Sequence, residues 1–228
     1  MTDVHNSLAL TYADSERYAE AVTLQAGIAN WFERKLGPDN PRTLSARSNH
    51  AAYLLALGRA AEAIPILEDV ISRQARVLGQ RHYRRGLTLR LLARSLDAVG
   101  RTNEALPLIV EAVTILGEHF GSTHYEVALA ISWQATIESR AGMLVEAERD
   151  ARSALELLTG QISVAPRQLA TARTNAGIVL TAAGKLDEAE KQLREAVSLL
   201  RAVQLEGVSL ARAQEALDAV ARKRAQAR

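Results

Sequence analysis

A pattern repeated every 42 residues constrains the fold of this chain more than any other feature of its sequence. The best-kept column holds an alanine preceded by a glutamate, at Ala21, Ala63, Ala105, Ala147 and Ala189. A second column holds a glycine in four of its five copies, at Gly58, Gly100, Gly142 and Gly184, and a glutamate, Glu16, in the first. A period between about 20 and 50 residues is typical of arrays in which each unit packs on its neighbours. The chain is therefore predicted to be a stack of similar units.

Each unit is predicted to be a pair of antiparallel helices. In the second copy, an apolar stripe runs up to Gly58, which supplies the left-handed backbone that ends a helix. A second helix is expected from near Ala60 to about Leu78, with Glu62 in its first turn facing the helix dipole. Ala63 is small because the two helices approach closely there, and a larger side chain is expected to cost about 1–3 kcal/mol.

The copies differ most in the fourth repeat. Gln134 and Glu138 occupy columns that are mostly apolar elsewhere, the second of them held by Tyr12, Leu54, Leu96 and Leu180. The packing of this repeat is therefore predicted to depart from that of the others.

The repeated small residue, turn glycine and following Glu-Ala pair resemble the tetratricopeptide repeat (TPR), in the extended form of kinesin light chains and of many bacterial regulatory proteins. The usual unit has about 34 residues. The resemblance implies a right-handed, all-α solenoid of about five helix hairpins extending over residues 1–228. The expected repeats are 2–37, 41–79, 83–121, 124–160 and 166–204. A capping helix is expected at 207–225, with Leu210, Ala213, Leu217 and Val220 on its covered face.

Composition restricts the function classes further. The chain has no cysteine, which excludes disulfides and thiolate chemistry, and its formal net charge is only +2. No apolar run approaches the roughly 20 residues of a membrane span, and the N-terminus does not resemble a secretory signal. We expect a cytoplasmic protein without a membrane partner, and the Ala- and Arg-rich composition is compatible with a GC-rich bacterial genome.

The family's geometry implies which side chains face a concave groove formed by the first helix of each repeat. Arg90 and Arg94 are four residues apart on one helix face, and Asn49 and Asn175 occupy a column in which such repeats often hold a peptide-gripping asparagine. Trp133 lies in that same column. The predicted partner-binding residues are Asn6, Asn49, Arg90, Arg94, Trp133, Thr136, Arg140 and Asn175. Arg94 pairing with Asp97, and Trp133 packing between repeats, are alternatives for these side chains.

Other activities lack a matching pattern. Chaperone-binding TPR domains use a clamp of Lys, Asn, Asn, Lys and Arg for a terminal carboxylate, and here no cation falls at those positions, so a chaperone tail is not expected. His82 and His124 lie one period apart in equivalent loops and are interpreted as turn residues. With no phosphate loop, nucleophile motif or zinc spacing, we expect neither catalysis, nor a metal, nor a cofactor.

The leading prediction is a protein-interaction scaffold. It binds a peptide or helical segment of a protein partner in its groove, as part of a bacterial signalling or regulatory system. One alternative is a self-associating structural module that forms a homo-oligomer. Another is weak nucleic-acid binding through Arg81, Arg84, Arg85 and the basic tail, although the near balance of charge does not favour nucleic acid.

Overall fold

The computed structural model describes residues 2–161 and 164–226, with the side chains of residue 5 and of residue 7 onward in these ranges. Within them the regular secondary structure is α-helical and no strand occurs, which confirms the predicted all-α helical repeat fold. The chain divides into two compact units, here called the first unit, Met1–His119, and the second unit, Phe120–Arg228. The single solenoid over residues 1–228 and its right-handed sense stay predictions.

Paired helices make up both units. In the described part of the chain they are α1 Thr2–Asp14, α2 Tyr18–Leu36, α3 Pro41–Ala56, α4 Ala60–Val77, α5 Tyr83–Ala98, α6 Thr102–Phe120, α7 Tyr125–Arg140, α8 Leu144–Thr159, α9 Pro166–Ala182, α10 Leu186–Ala202 and α11 Val208–Gln226. In the first unit, consecutive helices from α1 to α5 pack on each other, and α3 also contacts α5. In the second unit, consecutive helices from α7 to α11 do the same, and α9 contacts both α7 and α11.

Three of the loops between repeats place a side-chain hydrogen-bond acceptor at the start of the following helix. Asn40 Oδ1 accepts from the backbone N–H of Arg42, and His82 Nδ1 and His124 Nδ1 accept from the equivalent N–H groups of α5 and α7. Such caps satisfy backbone donors that have no partner inside the helix. Burial lowers the pKa of His82, which keeps its imidazole neutral and able to accept. The interpretation of both histidines as turn residues is confirmed.

The alanine column lies in the core of the protein. Ala21, Ala63, Ala105, Ala147 and Ala189 are all fully buried. The glutamate before each alanine lies in the first turn of its helix, as predicted. In the first unit these glutamates also pair with an arginine three residues earlier, Arg17, Arg59 and Arg101.

Gly177 replaces alanine in a second small-residue column and has an unusually close neighbour. A Cβ atom built on Gly177 would lie 2.4 Å from Cγ of Leu193, which is fully buried. One period earlier the same two positions are Ala135 and Ala151, both buried in one cluster. The pair α9 and α10 therefore fills this contact with a glycine and a leucine, where the preceding pair uses two alanines.

Glu138 is buried in the core of the second unit. Its side chain is only 3% exposed, and its Oε2 atom has no hydrogen-bond partner. Gln134 Nε2 donates to Glu138 Oε1 at 2.7 Å and to Asp150 Oδ2 at 3.1 Å, so one amide joins the two carboxyl groups. Burial, reinforced by the nearby Asp150 charge, raises the pKa of Glu138. The fourth repeat thus buries a polar cluster at positions that are mostly apolar in the other repeats.

The backbone conformation at the turn between the two helices of a repeat explains why four of the five residues in this column are glycine. Gly58 has φ of +80°, and Gly100, Gly142 and Gly184 lie within a few degrees of it, as predicted for residues that end a helix. Glu16 fills the same position in the first repeat and adopts the same left-handed region at +55°. A side chain in this region costs about 1–2 kcal/mol relative to glycine. The first turn of the array is therefore strained where the others are relaxed.

Replacing Glu16 with glycine is expected to raise the free energy of unfolding by about 1 kcal/mol, because it removes this backbone strain. Urea unfolding followed by circular dichroism measures the change. The reciprocal Gly58→Glu variant is the matched control and is expected to lose at least as much. If Glu16→Gly proved neutral or destabilising, contacts of the Glu16 side chain would outweigh the strain.

Candidate functional site

A groove in the first unit brings polar and apolar side chains of four helices together. It has a volume of about 440 Å³ and lies between α1, α2 and α3, with Arg84 of α5 at one side. Phe32 and Ala46 form a buried floor, and Leu10 stands 55% exposed at the rim. The groove thus offers an apolar floor and rim for a short extended segment.

The charge of this groove is positive. Of its described lining residues, Arg42 and Arg84 are arginines and none is acidic. Ser45 Oγ accepts a hydrogen bond from Arg84 Nη1, and Tyr83 OH accepts from Arg84 Nε at 3.3 Å. These contacts hold the Arg84 guanidinium in place, and Arg42 is exposed. Two guanidiniums beside an apolar surface suit a segment that carries a carboxylate and an apolar side chain.

Asn49 lines the same groove and is exposed. It lies one helical turn from both Ser45 and Tyr53 on α3, so the three residues form one stripe along the groove. Its amide has both a donor and an acceptor, which matches the backbone of an extended peptide. Asn6 was also predicted for this face, but its side chain lies outside the described residues.

The predicted arginines outside this groove have different surroundings. Arg90 and Arg94 are half-buried on α5 and do not line the groove, while Arg140 is exposed at the end of α7. Asp97, the alternative partner of Arg94, accepts a hydrogen bond from Thr102 Oγ1 at 3.0 Å. Arg90 and Arg94 lie in the first unit and Arg140 in the second. A common face for all three stays a prediction.

Trp133 and Asn175 meet in the second unit around an arginine of α11. Arg212 Cζ lies 4.8 Å from the centroid of the Trp133 ring, and Arg212 Nη2 donates to Asn175 Oδ1 at 2.6 Å. Asn175 is only 1% exposed, and Thr136 is 2% exposed with its hydroxyl donating to the Trp133 carbonyl. Asn175 and Thr136 therefore contact the protein interior, and a partner reaches Asn175 only by replacing Arg212.

The basic residues proposed for nucleic acid are engaged within the protein. Arg81 pairs with Glu118, and Arg85 is 9% exposed and pairs with Glu111 at 2.5 Å. In the tail, Lys223 Nζ donates to the carbonyls that end α9, and Arg224 pairs with Asp187. The carboxylates beside Arg81, Arg85 and Arg224 offset positive charge that would attract a phosphate backbone, so these contacts do not favour the nucleic-acid alternative.

Three further observations bear on the remaining predictions. Among the described residues, no group of three or more His, Asp or Glu side chains could hold a metal ion. No described helix has the length and apolar character that crossing a bilayer requires. An apolar depression lined by Leu8, Tyr12 and Leu24 lies on α1 and α2. Absence of catalysis and the oligomeric state stay predictions.

Sequence reasoning missed several residues of these sites. A signal for Ser45 and Tyr53 was present, because both lie four residues from Asn49 on the same helix face. Arg84 was considered only for the weak nucleic-acid binding alternative. Arg212 had no signal in the 42-residue register, since α11 lies beyond the last copy of the pattern.

Comparison with known proteins identifies the repeat. A family model described as tetratricopeptide repeat matches residues 1–74 and 42–118, and a second model of the same description matches residues 169–203. No curated protein sequence matches the chain. The resemblance drawn from the 42-residue pattern is confirmed.

Several solved structures share the fold. A putative kinesin light chain of Podosopora anserina with nearly identical TPR-like repeats is 22% identical, with a TM-score of 0.64 over 89% of this chain and 96% of that chain. A thermophilic TPR protein of Thermus thermophilus is 19% identical, with a TM-score of 0.64 over 95% of this chain and 99% of that one. PlcR of Bacillus thuringiensis, solved with the peptide PapR7 and DNA, is 12% identical, with a TM-score of 0.68 over 92% and 73% of the two chains. At these identities the similarity is one of fold.

Proposed function

The chain belongs to the tetratricopeptide repeat family, and from that premise we propose that it is a protein-interaction scaffold whose first unit binds a peptide segment of a protein partner. The observation that carries this proposal is the groove containing Asn49, Arg42 and Arg84 over an apolar floor. The segment it suits is extended and combines an acidic side chain or terminal carboxylate with an apolar side chain.

Each part of the groove has a separate role in this proposal. The Asn49 amide pairs with the peptide backbone, and Leu10, Phe32 and Tyr53 cover the apolar side chain. Arg84, held by Ser45 and Tyr83, receives the carboxylate with little loss of side-chain freedom on binding. Arg42 adds a second, more exposed positive charge that attracts the segment.

Arg90, Arg94 and Arg140 belong to the proposal as further partner contacts outside this groove. We also propose that the protein serves a bacterial signalling or regulatory system. The similarity in fold to PlcR, solved with a peptide and DNA, is in line with this role. The proposal for the groove does not depend on it.

Selection of peptides from a phage-displayed library of random 12-residue sequences, with the full chain as bait, tests the groove. We expect the selected sequences to share an acidic and an apolar residue. A fluorescein-labelled selected peptide is expected to bind at least about tenfold more weakly to the Arg42→Glu/Arg84→Glu variant, because each charge-assisted hydrogen bond is worth about 1.5–3 kcal/mol. Fluorescence anisotropy measures the affinity.

Arg34→Glu is the matched control, because Arg34 is an exposed arginine of the first unit that does not line the groove. It is expected to keep the wild-type affinity. Selected sequences without an acidic residue, or an equal loss in both variants, would contradict the proposed site.

A further inference from the structure

The contact between α11 and the core of the second unit has the chemistry of a ligand in a binding site. The Arg212 guanidinium lies over the Trp133 indole, at 4.8 Å from the ring centroid, and donates to Asn175 Oδ1 at 2.6 Å. Stacking on an aromatic face combined with a hydrogen bond to a fixed oxygen is how proteins recognise arginine side chains.

The receiving side of this contact is rigid. Asn175 Nδ2 donates to Ser132 Oγ at 2.9 Å and to the Ser132 carbonyl at 3.3 Å, and Ser132 is itself 2% exposed. These two bonds fix the amide orientation, so Oδ1 points to the guanidinium. A buried amide oxygen needs a donor, and here the donor comes from a side chain of another helix.

The pairing of an indole with an amide is specific to the second unit. Asn175 and Trp133 occupy one column of the repeat, and the earlier members of that column are Ser7, Asn49 and Leu91. No other consecutive pair in this column places an aromatic residue before an amide. The arrangement is therefore not a feature that every repeat inherits from the packing of its helices.

The occupant is carried by the helix that lies outside the repeat pattern. α11 buries Leu210, Ala213, Ala216 and Val220, while Leu217 is half-buried and packs against the cluster that contains Ala216 and Val220. Leu210 and Ala213 pack with Ala170 of α9, and Lys223 Nζ donates to the carbonyls of Thr181 and Ala182. The apolar face therefore anchors α11 on α9, and Arg212 adds a polar contact beside that anchor.

We propose that Ser132, Trp133 and Asn175 form a binding site for the arginine side chain of a partner segment, and that Arg212 fills this site as an internal ligand until the partner displaces it. A tethered side chain competes at an effective concentration of the order of millimolar. The apparent affinity for an external arginine is then the affinity of the empty site multiplied by the fraction of time that Arg212 leaves the site empty. This site is independent of the groove proposed for the first unit.

A tripeptide probe tests the site directly. The chain has two tryptophans, so Trp133 is the sole indole reporter in a Trp31→Phe background. The peptide acetyl-Gly-Arg-Gly-amide is titrated while Trp133 emission is recorded. We expect Arg212→Ala to bind the probe at least about tenfold more tightly than the Trp31→Phe protein, because the internal competitor is gone. The corresponding lysine peptide is expected to bind at least about fivefold more weakly, since it lacks the planar guanidinium.

Three further variants make the result decisive. Arg222→Ala removes an exposed arginine of α11 and is expected to leave probe binding unchanged. Adding Asn175→Ala to Arg212→Ala is expected to abolish the gain. If circular dichroism shows that Arg212→Ala loses helix, Arg212→Lys replaces it, with an expected gain of about threefold, because a lysine competes less well for a guanidinium site. No gain in a folded Arg212 variant, or equal affinity for the lysine peptide, would overturn the proposal.

Discussion

Replacing Glu138 with leucine is expected to raise the free energy of unfolding by about 1–3 kcal/mol at pH 7, the cost of a buried polar group that lacks a partner. Glu138 is 3% exposed, and its Oε2 atom has no hydrogen bond. Leucine is the residue in the same column at Leu54, Leu96 and Leu180, so its size suits the position. Gln134 keeps its hydrogen bond to Asp150 in the variant. Urea unfolding followed by Trp133 emission in the Trp31→Phe background measures the change in the second unit.

The gain is expected to depend on pH in a defined direction. Because burial raises the pKa of Glu138 in the folded protein, the unfolded chain loses this proton more readily. Below the ordinary glutamate pKa both states are protonated and the penalty is absent. The penalty grows as pH rises through the interval up to the folded pKa and is complete above it. The difference between Glu138→Leu and wild type is therefore expected to be larger at pH 7 than at pH 4.

Two controls separate charge from packing. Glu138→Gln removes the charge and keeps a polar group, so it is expected to recover only the pH-dependent part of the gain. Leu96→Glu places the same carboxyl at the equivalent buried position of the first unit and is expected to destabilise it. A Glu138→Leu protein that is less stable than wild type at pH 7 would show that the polar cluster stabilises the unit.

Replacing Gly177 with alanine is expected to lower the free energy of unfolding by about 1–3 kcal/mol through overpacking. This sign is diagnostic, because alanine in place of glycine inside a helix ordinarily stabilises by about 1 kcal/mol. The new methyl group would lie 2.4 Å from Cγ of the fully buried Leu193, a distance that forces the Leu193 side chain or one of the two helices to shift. Urea unfolding of the same Trp31→Phe background, followed by Trp133 emission, measures the loss.

A double-mutant cycle with Leu193→Ala tests the cause of that loss. The pair Gly177→Ala/Leu193→Ala recreates the two alanines found one period earlier at Ala135 and Ala151. We expect the double variant to be more stable than the sum of the single effects predicts, by about 1 kcal/mol or more, because the methyl group then has room. Strictly additive effects would mean that the two positions do not interact.

The 42-residue register predicted the features that depend on local sequence. The buried alanines, the left-handed glycine turns, the first-turn glutamates and the histidine turns all follow from residue type and spacing, and each is confirmed. Asn49 was placed on a helix face that does line a groove. These properties are set within one repeat or between adjacent helices, where the pattern carries the information.

The register could not predict what covers a given position. Asn49 and Asn175 share a column, yet the first is exposed and the second is 1% exposed, because α11 lies over Asn175. α11 is outside the repeat, so counting in steps of 42 does not reach Arg212. Arg84 is likewise set by side-chain contacts with Ser45 and Tyr83, which spacing does not encode.

The cap at the start of α5 links the groove of the first unit to acidity. His82 Nδ1 accepts a hydrogen bond from the backbone N–H of Arg84, whose side chain lines that groove. An imidazolium cannot accept this bond, so protonation of His82 is expected to release the backbone N–H of Arg84, the residue proposed to receive a carboxylate. The equivalent cap on α3 is the amide of Asn40, which does not titrate. Acid is therefore expected to loosen the start of α5, which carries Arg84, while the start of α3 keeps its cap.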